Sequence, residues 1–342
     1  MRAPLILALA LAQALAASGC KGTAAPSEEK CRERGFARTA AFIAKNDKRH
    51  KQMIQKALAY LDRLVIDPVA LRKEGIKGRK KLVELLDAYV AIHRHAAPEE
   101  KATLVARFKR AAMVTNAPGY HDMLTVSDMQ FKQDATSYLR ACYLMDKMGQ
   151  PSGTYRGHIN AIKARLDGHM SKRGWHQRMS FKHYYQHFNM ATPKELQDPF
   201  SNTLISRRAN PYLLRLGQAY DLTHEVFVPH DYGGKLQTDQ FSRDDRVYLR
   251  RALEVLATVW IARKDVDLVG ELLACIRYTG NHDLQVYRDG LSLILASQQP
   301  SGAFGDYEKL RPQRGDDVDL ALYLHTTSVV MDILPLAFSR RK

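Results

Sequence analysis

The sequence predicts an all-α fold, and three observations support this. Apolar residues recur every three or four positions over long stretches, which is the spacing of one face of an α-helix. No stretch shows the sustained apolar–polar alternation of a half-buried β-strand. Gly and Pro cluster between the periodic stretches, as in 149–153 and 300–302, and therefore mark connections. With 342 residues, of which 45% are hydrophobic, the chain has ample material for a packed core.

The helical periodicity begins at Gly35 and continues, with interruptions, to Phe338. One apolar stripe runs from Phe36 to Leu61, and a second runs from Leu82 to His93. Later segments of similar length are joined by short or medium loops, which favours antiparallel helical hairpins arranged around an axis. These further helical patterns cover residues 98–113, 120–147, 157–168, 173–189, 206–227, 242–263, 265–278, 282–298 and 317–338.

The first 22 residues have the features of an export signal. Arg2 gives a positive start, and the apolar run 5–17 is too short to span a bilayer comfortably. The segment Ala-Ser-Gly-Cys ending at Cys20 resembles the bacterial lipobox, in which small residues precede a lipid-modified cysteine. The resemblance implies diacylglycerol and an acyl chain such as palmitate on Cys20, in a bacterial cell-envelope lipoprotein. An ordinary signal peptide with a chance cysteine is the alternative.

We expect four parts in the chain: a signal peptide (1–19), a flexible tether (20–34), an N-terminal helical region (35–150) and a second helical domain (151–342). The tether is expected because its residues are small, polar and charged. Once Cys20 is lipidated, an odd number of cysteines remains, which argues against a disulfide framework. Lys21 follows the modified cysteine, and by analogy with lipoprotein sorting this favours the outer membrane.

The excess of basic residues predicts negatively charged partners. The formal net charge is +16, which attracts polyanions. An exported protein meets acidic polysaccharides and anionic lipid headgroups first, so we do not expect nucleic acid as a partner. The densest basic clusters, 45–51 and 77–81, are interpreted as solvated helix faces, with contact to an acidic partner as the alternative.

The C-terminal part carries a motif with a known relative. Gln298-x-x-x-Gly302-x-Phe304-Gly305 follows a predicted helix, and His325-Thr-Thr opens the next one. This order resembles the repeat unit of α/α-toroid proteins, a superfamily that includes terpene cyclases, protein prenyltransferases and many polysaccharide-degrading barrels. Together with segments 222–233 and 267–273, it is similar to an uncharacterised bacterial toroid family. The resemblance covers about residues 155–338 and implies helical hairpins around a central cavity.

A first candidate site follows from that expected cavity. On one predicted helix Asp267, Glu271 and Cys275 are spaced i, i+4 and i+8 and form one stripe. His224 and His325 stand among apolar neighbours, so we expect both to be buried. Imidazoles and carboxylates are the usual ligands of zinc. The predicted metal set is His224, Asp231, Asp267, Glu271 and His325, with His224, Glu271 and His325 as catalytic residues. The alternative to a metal site is that both histidines form hydrogen bonds to the backbone and that Asp267 and Glu271 lie on a solvent-exposed helix face.

A second candidate site resembles that of polyuronate lyases on toroid folds. Asn281 would neutralise a carboxylate, and His282 and Tyr287 would exchange protons at the sugar. The same Gly-Asn-His segment is also an ordinary turn at the end of a helix. A third cluster contains His183 and His187, one turn apart in an aromatic segment, and we interpret it as packing.

Two hypotheses about function remain open at this point. The first is a lipoprotein whose cavity binds an envelope or acidic glycan-type ligand. The second is a metal-dependent hydrolase, with zinc as the metal, or a polyuronate-type lyase that uses the same cavity. Serine-hydrolase and phosphate-binding glycine motifs are absent from the sequence.

Overall fold

A computed structural model describes residues 27–66, 78–150, 153–170, 172–315 and 317–339. Within these ranges the chain is helical and contains no β-strand, apart from one isolated bridge between Gln298 and Phe304. The predicted all-α class is therefore confirmed. The export signal, Cys20 and residues 20–26 of the predicted tether lie outside the described residues.

The main helices follow one another with short connections. They are α1 (Glu28–Arg63), α2 (Gly78–His95), α3 (Pro98–Ala112), α4 (Asp128–Lys147), α5 (Gly153–Ala161), α6 (Lys163–Met170), α7 (Trp175–His187), α8 (Leu216–Phe227), α9 (Arg243–Ala262), α10 (Val266–Tyr278), α11 (Gln285–Ala296) and α12 (Leu324–Phe338). A π-helical turn, Asp319–Tyr323, leads directly into α12.

Helix α1 begins earlier than expected. The Ser27 side chain accepts a hydrogen bond from the Lys30 N–H, and Glu28 and Glu29 place negative charge in the first turn. The Arg32 guanidinium also donates to the Gly280 carbonyl oxygen at 3.4 Å. Residues 28–34, predicted as part of a flexible tether, are therefore helical, because an N-cap and long-range contacts stabilise a polar segment that composition alone made resemble a linker.

Helix α8 begins later than expected. The periodicity suggested a helix from residue 206, but the chain passes through short 3-10 turns until Leu216. Arg208 has a left-handed φ of 48°, and Pro211 lacks the N–H that a helix interior requires. The buried Glu225 of α8 holds this segment by accepting the N–H groups of Leu204 and Ile205 at 3.0 and 3.1 Å.

Six helices form a closed circuit of contacts. Helix α2 contacts α4, α4 contacts α7, α7 contacts α8, α8 contacts α10, α10 contacts α12, and α12 contacts α2. We refer to these six as the ring helices. Helices α1, α3, α9 and α11 each pack against at least one of them. One hydrophobic cluster extends from Met53 to Phe338, so the core continues across the domain boundary predicted at residue 150.

The turn that follows α11, residues 298–305, contacts both α1 and α12. Gly302 has a φ of +98°, and a Cβ atom there would lie 2.2 Å from the Lys56 carbonyl oxygen of α1. The Gln298 amide donates to the Met53 carbonyl oxygen at 2.8 Å. The Phe304 N–H donates to the Thr327 hydroxyl of α12 at 3.0 Å, and the Phe304 ring is fully buried. Only glycine allows the backbones to come this close.

One of the two basic clusters differs from its predicted role. Arg79 and Lys81 are buried, although we expected a solvated face over residues 77–81. Arg79 forms ion pairs with Asp122 and Asp134, and Lys81 Nζ lies 3.3 Å from Asp317. Buried cations require counter-charges, and these aspartates supply them. Lys77 lies outside the described residues.

One helical stretch has a composition that would also suit a membrane. Among the described residues, Asp319–Phe338 is long and apolar enough to cross a bilayer, with a mean hydropathy of 1.4. However, 67% of that window is buried inside the molecule. A central core helix has the same composition, and α12 contacts α1, α2 and α10.

Candidate functional site: a polar cavity among the ring helices

All six ring helices contribute side chains to one cavity of about 530 Å³. This volume lies within the range of small-molecule binding sites. Aromatic surface comes from Tyr184, Phe227 and Tyr232. Charged groups are unusually frequent in the wall: the cations are Lys80, Arg94, Lys132, Arg140 and Arg173, and the carboxylates are Glu84, Asp87, Glu271 and Asp332.

Most of the charges in the wall are paired with one another. The Arg140 guanidinium donates two hydrogen bonds to the Asp87 carboxylate, from Nη2 to Oδ1 and from Nε to Oδ2, the latter at 3.1 Å. Lys80 lies 3.2 Å from Glu84 within α2. Arg94 lies 3.6 Å from Asp332, which also accepts a hydrogen bond from a buried tyrosine. In these pairs, cations neutralise the negative charges of Glu84, Asp87 and Asp332, and the wall remains polar.

His325 of α12 lies between two carboxylates. Its Nδ1 atom is 2.8 Å from Glu84 Oε1, and its Nε2 atom is 3.3 Å from Asp267 Oδ2. Burial alone would lower the pKa of His325, but the contacts with Asp267 and Glu84 raise it to about 10. The Tyr220 hydroxyl donates to the same Asp267 oxygen at 2.6 Å. His325 is therefore an imidazolium that links α2, α10 and α12.

Glu271 of α10 is a buried carboxyl group of the cavity wall. Burial raises its pKa above the ordinary value, while the charge of His224 partly opposes the shift. The Thr223 hydroxyl donates to Glu271 Oε2, whereas His224 Nδ1 lies 3.9 Å from that oxygen. A separation of 3.9 Å is too long for a hydrogen bond. His224 Nδ1 instead lies 2.7 Å from the Tyr220 carbonyl oxygen.

A strained loop after α8 places Tyr232 in the wall. Asp231 and Tyr232 have positive φ values of 51° and 49°, which non-glycine residues adopt only when their surroundings fix them. The Tyr232 carbonyl oxygen accepts from Arg94 at 2.8 Å, and the Arg140 guanidinium lies 3.7 Å from the centre of the Tyr232 ring. Both α2 and α4 therefore hold the Tyr232 ring at the cavity.

Asp231 fixes that loop from outside the cavity wall. It accepts hydrogen bonds from the Tyr143 hydroxyl and from Lys147 at 2.8 Å, and His183 Nε2 lies 3.2 Å away. Burial would raise the pKa of Asp231, but the contacts with His183, Lys147 and Tyr143 lower it below its usual range. Asp231 is therefore a charged anchor that these three residues already satisfy.

The structure brings the predicted zinc ligands together only in pairs, with His325 3.3 Å from Asp267 and His224 3.9 Å from Glu271. Asp231 is bound to α4 and α7, His325 is occupied by Glu84 and Asp267, and His224 contacts a backbone oxygen. Across residues 27–66, 78–150, 153–170, 172–315 and 317–339, no group of three or more His, Cys, Asp or Glu side chains is arranged to hold a metal ion. Protein contacts already engage Asp231 and His325, and both His224 and His325 are partly exposed, not buried as their apolar neighbours in sequence predicted.

The predicted lyase residues lie away from the cavity wall. Asn281 Oδ1 accepts from Arg250 at 3.0 Å, and Tyr287 is fully buried. The His282 ring packs 4.7 Å from Phe36 of α1, and burial lowers its pKa to about 4. The His282 carbonyl oxygen accepts the Thr39 hydroxyl at 2.7 Å. The turn between α10 and α11 therefore faces α1, and these residues support the contact between helices.

Sequence reasoning missed half of the cavity. The side chains of α2 and α4 lie in a region that matched no motif, and Arg173 before α7 lies within the resemblance but was not singled out. In the aromatic segment, His176 lines the cavity, whereas His183 and His187 pack on Tyr143 as predicted. The sequence signal for Arg173 was an arginine followed by Gly174 at the start of a helix, and this pattern is too common to identify a site.

These features define an all-helical protein with a charged and aromatic cavity among six helices that contact one another in a closed circuit. By sequence, the chain belongs to a family described as a domain of unknown function, DUF6895, whose family model matches residues 50–332. The matched range takes in α2, α4, α7, α8 and α10 and ends within α12 at Asp332, a residue of the cavity wall. No curated protein and no solved structure matches the chain.

Proposed function

We propose that this protein binds a sugar-type ligand in the cavity among the ring helices. The observation that carries the proposal is the composition of the wall, in which paired charges alternate with the rings of Tyr184, Phe227 and Tyr232. Charged and hydroxyl groups form directional hydrogen bonds to sugar hydroxyls, and aromatic faces pack against the apolar face of a sugar ring. A volume of about 530 Å³ accommodates a ligand of one or two sugar units.

We also propose that the fold is an α/α toroid. Along the chain, the ring helices alternate with α1, α3, α5–α6, segment 194–213, α9 and α11. This alternation is what paired inner and outer helices around an axis would produce. An experimental structure in which the ring helices do not surround a common axis would contradict it.

We infer from the lipobox-like segment that the mature chain is anchored in the bacterial cell envelope through Cys20. An anchored binding protein would meet sugars of envelope polymers at high local concentration. The excess of basic residues on the chain suits acidic polysaccharides or anionic headgroups in the same compartment. The outer membrane is the favoured location.

The test of binding is calorimetry on the purified chain with a panel of neutral and acidic mono- and disaccharides. We expect saturable binding of at least one sugar, and weakening of about tenfold in Phe227→Ala, which removes one aromatic face. Tyr212→Ala is the matched control, since Tyr212 is 63% exposed and does not line the cavity. Absence of binding across the panel, or equal loss in both variants, would contradict the proposal.

A second candidate is sugar hydrolysis by proton transfer, and Glu271 is the observation that favours it. A carboxyl group with a raised pKa at a cavity wall is a suitable general acid. The measurement is the release of reducing ends from oligosaccharides that bind. If Glu271→Gln still binds the oligosaccharide but no longer releases reducing ends, the protein is a hydrolase that uses Glu271. If the wild type releases no reducing ends, only the sugar-binding function stands.

A further inference from the structure

Arg173 is a buried cation of the cavity wall that, unlike the buried Arg140, has no carboxylate partner among the described residues. It is only 8% exposed, and burial lowers the pKa of its guanidinium. Its Nη2 atom donates to the Lys132 carbonyl oxygen at 2.6 Å, and its Nε atom is buried without a hydrogen-bond partner. By contrast, Arg94 and Arg140 face Asp332 and Asp87. A buried guanidinium without a counter-charge is costly, so it calls for an anion.

The surroundings of Arg173 add further positive potential on the same part of the wall. It precedes α7 directly, and Gly174 at the N-cap supplies no side-chain acceptor. The first bond of this helix runs from the Arg178 N–H to the Gly174 carbonyl oxygen, at 2.9 Å. The earlier N–H groups of a helix have no partner within it and attract negative charge. His176 and Gln177 of this first turn line the cavity, as does Lys132.

We propose that Arg173, Lys132 and the first turn of α7 bind the carboxylate of an acidic sugar, so that the cavity selects hexuronates over neutral hexoses. This inference rests on the proposed sugar-binding function. A carboxylate offers two acceptors in the fork geometry of a guanidinium, and its single charge balances that of Arg173, which has no carboxylate partner among the described residues. Three carboxylates of the wall, Glu84, Asp87 and Asp332, face cations of their own, which limits repulsion of an incoming anion.

The experiment is calorimetry with glucuronate and glucose, which differ by one carboxylate. We expect the wild type to bind glucuronate about tenfold or more tightly than glucose, with a preference that weakens as salt rises. In Arg173→Gln the preference disappears, so that the ratio of the two affinities falls to within about twofold of one. Arg173→Lys retains part of it, because an ammonium keeps the charge without the fork. Lys182→Gln, on α7 outside the cavity wall, is the control for loss of one charge.

Several outcomes separate this inference from the function on which it rests. If neither sugar binds the wild type, the proposed function itself fails. If both sugars bind the wild type equally well, the selection of hexuronates is overturned. If Arg173→Gln keeps the preference, the role of Arg173 is overturned. In both cases the proposed sugar-binding function stands. Inorganic phosphate and sulfate are the further probes, and their binding without glucuronate binding would assign the site to another oxyanion and overturn the acidic sugar. Circular dichroism and Arg173→Lys distinguish a loss of affinity from a loss of folding.

Discussion

His325 shows how one residue can connect three parts of the cavity wall. Its imidazolium contacts Glu84 of α2 and Asp267 of α10, while its own backbone belongs to α12. Removing the imidazolium would leave two carboxylates facing one another in a buried place, which is unfavourable. His325, which the sequence suggested as a zinc ligand, is therefore paired with two carboxylates of the protein.

This arrangement predicts an alkaline loss of stability. The pKa of His325 is about 10 in the folded chain, against 6.5 for an ordinary histidine. The folded state therefore holds the proton more tightly, so the stabilisation is complete below pH 6.5 and is lost as the pH rises to about 10. After allowance for partial exposure, we expect a loss of about 3 kcal/mol in the free energy of unfolding.

Urea unfolding between pH 6.5 and 10 measures this dependence in the wild type and in His325→Gln. The variant should be less stable at pH 6.5 and should show a much flatter profile, because glutamine does not titrate. His187→Gln is the control, since burial lowers the pKa of His187 and its removal should leave the alkaline loss unchanged. An equally steep loss in His325→Gln would contradict the assignment.

Helix α1 illustrates, at the scale of an element, what the sequence could and could not predict. Its apolar stripe and the buried Phe304 turn follow from local patterns, because helix periodicity and glycine chemistry act over a few residues. Its place against the α10–α11 turn does not, since Thr39 and His282 are far apart in sequence. For the same reason Asn281, His282 and Tyr287 had the right chemistry for a site but lie at a contact between helices.

The approach of α1 to the Phe304 turn predicts a large effect of one methyl group. Gly302→Ala would place a Cβ atom 2.2 Å from the Lys56 carbonyl oxygen, at a φ of +98° that alanine rarely adopts. We expect a loss of about 2 to 4 kcal/mol in the free energy of unfolding. Gly157→Ala within α5 is the control, because no atom lies within 4 Å of its Cβ position, and it should be neutral or stabilising by up to about 1 kcal/mol. Thermal unfolding of both variants decides, and similar Tm values would contradict the close approach.

At the scale of the whole molecule, the cavity is built from both the N-terminal and the C-terminal parts of the chain. Only the C-terminal part of the wall could be predicted from the sequence. The stripe Asp267, Glu271 and Cys275 was visible from helical spacing, and its members are indeed buried on α10. The opposite wall comes from α2 and α4, whose charged residues resemble ordinary surface positions. A cation such as Arg140 is recognisable as part of a site only when Asp87 and Tyr232 are seen beside it.

The early start of α1 also constrains how the anchored molecule would sit on its membrane. If the chain is lipidated at Cys20, the eight residues 20–27 separate the lipid from the helix that begins at Glu28. Fully extended, they span at most about 29 Å, so the start of α1 would remain within that distance of the bilayer surface. The basic cluster 45–51, which includes the exposed Lys48 and Lys51, lies on the same helix, about 30 Å further along it than Glu28.

Labelling with a palmitate analogue in a bacterial host tests the anchor on which this geometry depends. We expect the wild type to carry the label in the membrane fraction, and Cys20→Ser to lose the label because no other cysteine follows a lipobox-like segment. Cys31→Ser, which changes a cysteine on α1, is the matched control and should label as the wild type does. Label retained in Cys20→Ser would exclude Cys20 as the lipidated residue. If that variant also stayed in the membrane fraction, the chain would be held there through its basic surface or its uncleaved signal, and the bound on its distance from the bilayer would no longer apply.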